Sequence, residues 1–387
     1  MILITGNNIA ALYLSAYFEM KKIEYRRFYT NEITDYTFYF NDSADGMQKK
    51  AMDLIGYRQE YRQNRFFTIR SDQRDYQIGM ELESLTDRLG ELHEEEKGNL
   101  KQWNEIVDAI GREWRQVTDH HFQMKVDMKS QMARNFRMGY QEFVKSHSND
   151  AELQNLLLSL VPRRDISLNT AAGYIRNQIF DPGFRENRIK EFTEFLRQRQ
   201  KEENQIKIGA FEELKINREE KTVLYNGTEI PYDRLILAAD TCESNVRLAT
   251  YYVDCENETH DSYTFLALDD MEEAGMNQII LWRDQQGDRL DVYYENTSAD
   301  EEKITEYLAE KLPYLRIQKA VTYDELKRQY GCGNFAGWAF SCMENMKNPM
   351  DCRKKDVIDI TKWGNAHFTS SLLAIELCNQ AGMPGKE

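Results

Sequence analysis

The chain has 387 residues, of which 41% are hydrophobic and 30% charged, a composition typical of globular rather than disordered proteins. Its net charge of −15 argues against nucleic acid as a partner, because non-specific nucleic-acid binding needs a basic surface. No apolar run reaches the roughly 18 residues of a membrane span, and the six cysteines form no C-x-x-C pair. With no signal peptide evident, we expect a cytoplasmic protein with reduced thiols.

The first thirty residues predict a strand, a turn, a helix and a second strand. Ile2–Thr5 is a short apolar run, and turn-forming residues follow it. Ile9–Lys21 carries apolar residues at helical spacing, and Glu24–Tyr29 has the pattern of a strand. This order predicts a βαβ unit with two parallel strands and a right-handed crossover.

The rest of the chain is predicted to alternate between helical and strand-rich stretches. Helices are predicted at residues 46–64, 82–92, 100–121, 122–145, 151–161, 169–180, 188–204, 299–311 and 369–380. Strands are predicted at residues 66–70, 76–82, 206–216, 222–225, 229–239, 263–268, 278–283, 289–294 and 356–360, with Asn226-Gly227 as a hairpin turn. We therefore predict the α/β class, with one discontinuous domain formed by residues 1–65, 205–250 and 325–387. A second domain of strands and helices is formed by residues 66–204 and 251–324.

The turn after the first strand partly matches the G-x-G-x-x-G sequence that binds dinucleotide pyrophosphates. Gly6 holds the tight-turn position, and Ala11 holds the third, where a small residue lets helix and strand pack closely. Asn8 replaces the middle glycine, and Tyr29 stands where an acidic residue would bind a ribose. These residues alone leave two interpretations open: a dinucleotide site, or a βαβ unit that binds nothing.

Two further patterns bear on function. Apolar side chains recur every four residues at Met124, Met128, Met132, Phe136 and Tyr140. They predict a helical stripe that faces the core or, less often, lines a substrate channel or partner groove. Neighbouring histidines at 120 and 121 point about 100° apart on a helix, so no metal site is predicted.

In its order of segments the chain resembles the FAD-dependent oxidoreductase superfamily of phytoene desaturases and amine oxidases, and phytoene-desaturase-like proteins most closely. The segments that carry the resemblance are Ile2–Tyr29, Phe66–Leu92 followed by Leu100–Trp103, Phe180–Phe184 leading into Lys190–Arg199, Ile206–Ile216, Thr222–Asp240, Val321–Asp324 to Gly333–Gly337, and Asp356–Gln380. The resemblance implies a Rossmann-type FAD/NAD(P)-binding domain interleaved with a substrate domain, and FAD as the cofactor.

The resemblance also implies where FAD is bound. Gly6, Asn8 and Ala11 correspond to the pyrophosphate turn, and Tyr29 to the end of the second strand. Phe211 is assigned to the adenosine side. Asp359, Trp363 and His367 are assigned to the ribityl chain and the flavin ring.

The resemblance, together with the departures from it, leaves two functions from different classes. The first is a flavin-dependent desaturase or oxidase that acts on an apolar or carrier-bound small molecule. The alternative is a catalytically degenerate subunit that serves as scaffold or regulator of a partner enzyme, because Asn8 and Tyr29 depart from the family pattern. No catalytic residue is singled out, and an oligomer is compatible with either function.

Overall fold

A computed structural model describes residues 1–30, 47–58, 66–119, 127–180, 189–238, 246–255, 263–284, 287–295, 301–330, 356–360, 374–375 and 378–379. Its helices are α1 (Ile9–Met20), α2 (Met47–Leu54), α3 (Leu82–Leu92), α4 (Lys97–Asp119), α5 (Gln131–Arg134), α6 (Tyr140–His147), α7 (Ala151–Leu158), α8 (Leu168–Tyr174), α9 (Ile189–Arg197), α10 (Glu301–Lys311) and α11 (Tyr323–Tyr330). Its strands are β1 (Ile2–Thr5), β2 (Tyr25–Tyr29), β3 (Phe66–Ser71), β4 (Asp75–Gly79), β5 (Gln205–Lys207), β6 (Lys215–Asn217), β7 (Thr222–Tyr225), β8 (Thr228–Pro231), β9 (Arg234–Leu237), β10 (Val246–Cys255), β11 (Tyr263–Ala267), β12 (Met276–Asp284), β13 (Gly287–Glu295), β14 (Leu315–Val321) and β15 (Val357–Asp359).

A five-stranded parallel sheet of order β15-β9-β1-β2-β5 organises the N-terminal part of the fold. Because all its strands are parallel, their carboxyl ends lie at one edge. The chain runs from β1 to β2 on one side, and β9 pairs with β1 on the other side. The gap between β1 and β9 is therefore a topological switch point, the place where open α/β sheets bind ligands.

Helix α1 is buried on nearly all its sides. Every residue from Ile9 to Phe18 is buried, so α1 is a core helix and not an amphipathic surface helix. Ile2 and Ile4 face α1, and Leu3 points to the opposite face of the sheet, as strand alternation requires. Helix α9 packs on the outer side of α1 and completes this core.

A second sheet has seven strands in the order β14-β10-β13-β12-β11-β3-β4. Its pairs are antiparallel apart from β11 with β3. One face packs against α10, and the other packs against the helical layer that contains Trp103 and Trp114. The chain therefore leaves the parallel sheet after β2 and returns to it at β5. This topology confirms the predicted α/β class, and the exact domain boundaries stay a prediction.

The predicted helix over residues 122–145 is wrong in the part that the structure describes. A short α5 and a separate α6 replace it, because Ser130 caps α5 and the extended Gly139 starts α6. The expected apolar stripe is broken accordingly. Met132 is buried, whereas Met128 and Phe136 are 83% and 69% exposed.

Two other predicted elements are shorter than expected. The predicted strand over residues 206–216 is divided into β5 and β6, which belong to different sheets. Between them, the chain turns at Gly209 and makes a short 3₁₀ helix at Phe211–Glu213. The predicted helix over residues 188–204 ends at Arg197. No helix in the described part of the chain is long and apolar enough to cross a membrane.

The close approach of α8 to α4 gives a test of this packing. A Cβ added at Gly173 would lie 2.7 Å from Cγ of the buried Trp114 ring. We expect Gly173→Ala to lower the free energy of unfolding by about 1–3 kcal/mol, because a large buried ring cannot move aside cheaply. Urea denaturation followed by circular dichroism measures this change.

Gly98 in α4 is the matched control, because a Cβ added there meets nothing within 4 Å. We expect Gly98→Ala to raise the free energy of unfolding by up to about 1 kcal/mol, since alanine is the better helix former. Equal effects of the two substitutions would contradict the described contact between α8 and α4.

Candidate functional site

The turn from β1 into α1 lies at the switch point of the parallel sheet. Gly6 has φ 145°, a backbone conformation that favours glycine. Its N–H donates to the carbonyl of Phe28 at 3.0 Å, and its carbonyl accepts from Nε of Arg27 at 3.1 Å. Both backbone polar groups of Gly6 are thus hydrogen-bonded to residues of β2.

The Asn8 side chain bridges the switch point. Its Oδ1 accepts from the N–H of Ala11 at 3.0 Å, which caps α1. Its Nδ2 donates to the carbonyl of Ala238, just after β9, at 2.7 Å. Asn8 is only 7% exposed, so both hydrogen bonds are shielded from water. The middle position of the glycine motif therefore carries a side chain that joins the start of α1 to the end of β9.

The first turn of α1 keeps further hydrogen-bond donors. Within the described residues, no acceptor receives the backbone N–H of Asn8, Ile9 or Ala10. Ile9 and Ala10 are 1% and 2% exposed. Buried N–H groups need an acceptor, and the dipole of a helix favours an anion at its N-terminus. The turn is therefore suited to hold an anionic group.

The end of β2 is also joined to this turn. Asn7 is fully buried; its Nδ2 donates to Oγ1 of Thr30 at 2.7 Å, and its Oδ1 accepts from the Thr30 N–H at 2.9 Å. Thr30 thus offers a hydroxyl close to the position where dinucleotide-binding domains commonly use a carboxylate. Tyr29 is half-buried, with the Arg27 guanidinium 5.0 Å from its ring centroid.

Arg27 places a positive charge within the candidate site. The side chain is 4% exposed and, besides its bond to Gly6, donates from Nη1 to Oε1 of Gln200 at 2.9 Å. A buried cation next to a helix N-terminus adds to the positive potential there. The charge of Arg27 and the dipole of α1 therefore both favour an anionic ligand.

The predicted site residues are only partly brought together. Asp359 ends β15, half-buried, at the same edge of the sheet as Gly6 but two strands from β1, about 10 Å away at the usual strand spacing. Phe211 packs with Leu3 and Phe28, on the face of the sheet opposite α1. Trp363 and His367 lie outside the described residues.

Sequence reasoning missed three residues of the site: Asn7, Arg27 and Thr30. A signal existed for Arg27, because an arginine that alternates with Tyr25 and Tyr29 shares their buried face of the strand. Asn7 gave no such signal, since asparagine is ordinary in a turn and its bond to Thr30 spans 23 residues.

No family model and no curated protein matches the chain. Solved structures do match over nearly its full length. Cyclohexylamine oxidase from Brevibacterium oxydans is 10% identical, with 98% of each chain covered and a TM-score of 0.61. An oxidoreductase from Methanosarcina mazei is 9% identical, with coverage of 98% of this chain and 99% of that chain and a TM-score of 0.60. Reduced UDP-galactopyranose mutase is 10% identical, with coverage of 99% and 96% and a TM-score of 0.53. The chain therefore shares the α/β fold of these proteins.

The role of Asn8 can be tested through stability. We expect Asn8→Ala to lower the free energy of unfolding by about 2–4 kcal/mol. The change removes a helix cap, which costs about 1 kcal/mol, and leaves the buried Ala238 carbonyl without its donor, which costs about 1–3 kcal/mol. Asn8→Ser keeps a capping oxygen and is too short to reach Ala238, so we expect only the second loss. Urea denaturation measures both, and a loss below about 0.5 kcal/mol for Asn8→Ala would contradict the bridge.

Proposed function

We propose that the chain is an FAD-dependent oxidoreductase that holds the cofactor's pyrophosphate at the N-terminus of α1. The observation that carries this proposal is the set of buried N–H groups of Asn8, Ile9 and Ala10 without an acceptor in the described residues. They lie at the switch point of a parallel sheet, where dinucleotides bind. The shared fold with amine oxidases and other oxidoreductases supports the same proposal.

Several features of the turn support the proposed pyrophosphate contact. The side-chain oxygen of Asn8 accepts from one backbone N–H of the helix, that of Ala11. The N–H groups of Asn8, Ile9 and Ala10 are therefore left for the anion. The dipole of α1 and the charge of Arg27 both favour negative charge at this place. At the end of β2, the hydroxyl of Thr30 is the group available to a ribose.

When bound, the flavin would supply hydride chemistry, and the protein would supply binding and orientation. The turn after Gly6 would hold the cofactor's phosphates, and residues at the carboxyl ends of β9 and β15 would contact the rest of it. Asp359 at the end of β15 is the proposed contact for the ribityl chain.

For the substrate we propose an apolar or carrier-bound small molecule that is desaturated or oxidised. The resemblance to phytoene-desaturase-like proteins supports this class. Cyclohexylamine oxidase, to which the chain is similar in fold, is named for a small and mainly apolar amine, which supports it further.

A second function is favoured by one specific observation. The Asn8 amide occupies the Ala11 N–H and joins α1 to β9, which leaves less of the helix N-terminus for a ligand than a glycine would. On that basis the alternative is a cofactor-free subunit that keeps the fold and serves a partner enzyme as scaffold or regulator.

The visible absorption spectrum of the purified protein separates the two functions. We expect a flavin band, release of FAD on denaturation, and stoichiometric uptake of added FAD by the refolded or flavin-depleted protein. A colourless protein that stays colourless after incubation with FAD would favour the cofactor-free subunit.

A backbone substitution tests the proposed phosphate contact directly. Ile9→Pro removes one N–H at the first helical position, where proline is tolerated, and Asn8 already has the extended backbone that precedes proline. We expect the Kd for FAD to rise at least about tenfold, because a hydrogen bond to a charged group is lost. Fluorescence titration of FAD measures the change.

Ile9→Ala is the matched control. Alanine, like proline, has less apolar volume than isoleucine at this buried position, but it keeps the backbone N–H. We expect it to bind FAD nearly as well as the unaltered chain. If Pro and Ala weaken FAD binding equally, the N–H of Ile9 makes no contact with the pyrophosphate.

A further inference from the structure

The segment of residues 127–138, which contains α5 and leads into α6, carries the two most exposed large apolar side chains in the described part of the chain. Met128 and Phe136 are 83% and 69% exposed, whereas the other exposed large hydrophobics lie between 37% and 41%. Met132, between them in the sequence, is buried in the core. Apolar side chains scattered singly over a surface need no explanation, whereas two on one short segment indicate a contact surface.

Hydrogen bonds to the helical layer hold the 127–138 segment in place. The Glu113 carboxylate of α4 accepts from the N–H of Gln131 at 2.9 Å and from the N–H of Met132 at 2.8 Å. Nδ2 of the buried Asn169 donates to the carbonyl of Met132 at 2.8 Å. The exposed side chains therefore project from an anchored stretch of backbone.

The 127–138 segment is basic, although the whole chain has a net charge of −15. Its charged residues are Asp127, Lys129, Arg134 and Arg137. All four are exposed, and none of them forms an ion pair within the part of the chain that the structure describes. The segment therefore offers positive charge beside exposed apolar groups, a combination that is complementary to an anionic surface with an apolar interior.

The size of the exposed surface favours a lipid bilayer over a protein partner. Six of the twelve residues are exposed, namely Asp127, Met128, Lys129, Arg134, Phe136 and Arg137. Stable protein interfaces use about 20–30 residues on each side. A bilayer makes no such demand, because a few apolar side chains can enter its interface while basic residues beside them pair with anionic head groups.

We propose that the 127–138 segment docks the protein onto an anionic phospholipid surface. Met128 and Phe136 would enter the interfacial region of the bilayer, and the three basic side chains would contact the acidic head groups. The binding would be peripheral and reversible, because so few groups take part. This proposal does not depend on FAD binding, and its failure would leave the proposed oxidoreductase function untouched.

Co-sedimentation of the full chain with lipid vesicles tests the proposal. The probes are vesicles of phosphatidylcholine alone and vesicles of equal parts of phosphatidylcholine and phosphatidylglycerol. We expect a partition coefficient at least about tenfold higher on the anionic vesicles, since each basic residue near an anionic bilayer contributes about fivefold. We expect about 0.5 M NaCl to remove most of this difference, because salt screens the basic side chains.

Substitutions separate the apolar from the basic contribution. We expect Phe136→Ser to weaken binding to the anionic vesicles at least about fivefold, because less apolar surface enters the bilayer. The double substitution of Arg134→Gln and Arg137→Gln is expected to weaken binding to the anionic vesicles at least about tenfold. Binding of this double variant to phosphatidylcholine alone should equal that of the unaltered chain.

Two exposed residues outside the segment give matched controls. Leu92, at the end of α3, is 39% exposed and is followed by the acidic Glu94–Glu96. Lys101 is exposed on α4, about 18 Å along the helix from Glu113. We expect Leu92→Ser and Lys101→Gln to bind the anionic vesicles as the unaltered chain does.

Thermal unfolding checks that each variant is folded. If Phe136→Ser fails to fold, Met128→Ser replaces it with the same expectation, because Met128 is the more exposed side chain. Sedimentation velocity without lipid tests whether the same surface joins two copies of the chain instead. Equal partition onto the two kinds of vesicle, equal losses from Phe136→Ser and Leu92→Ser, or a dimer that Phe136→Ser dissociates without changing vesicle binding would overturn the proposal.

Discussion

The two hydrogen bonds of the Asn8 amide are the constraint on which the candidate site depends. One bond caps α1, and the other reaches the carbonyl of Ala238 beyond β9. Together they fix the distance between the start of the helix and the strand across the switch point. Because both bonds are buried, they are strong and selective for an amide, which donates and accepts at once. At the helix N-terminus, the N–H groups of Asn8, Ile9 and Ala10 have no acceptor among the described residues.

The parallel sheet determines which residues share that environment. Carboxyl ends of β1, β2, β9 and β15 lie at one edge, so Gly6, Tyr29 and Asp359 come to the same side of the molecule although 353 positions separate the first and the last. The second sheet and the helical layer are formed by chain that lies between β2 and β5 and between β9 and β15 in the sequence.

Much of the framework could be predicted from the sequence, because it rests on local patterns. The first βαβ unit follows from apolar runs around a glycine turn, and Asn226-Gly227 forms the expected hairpin between β7 and β8, with positive φ at both residues. The prediction of one helix over residues 122–145 is wrong because Ser130 and Gly139 start separate helices within a stripe that has helical spacing. The Asn7–Thr30 and Asn8–Ala238 bonds could not be predicted, since each joins residues far apart in the chain.

We propose that the first turn of α1 accepts the FAD pyrophosphate through backbone N–H groups while Asn8 keeps its bridge. Amide hydrogen exchange, resolved for Asn8 to Ala11 with and without saturating FAD, tests it most directly. We expect slower exchange at Ile9 and Ala10 when FAD is present, and little change at Ala11, whose N–H is already bonded to Asn8. Unchanged exchange at Ile9 and Ala10 under saturating FAD would contradict it.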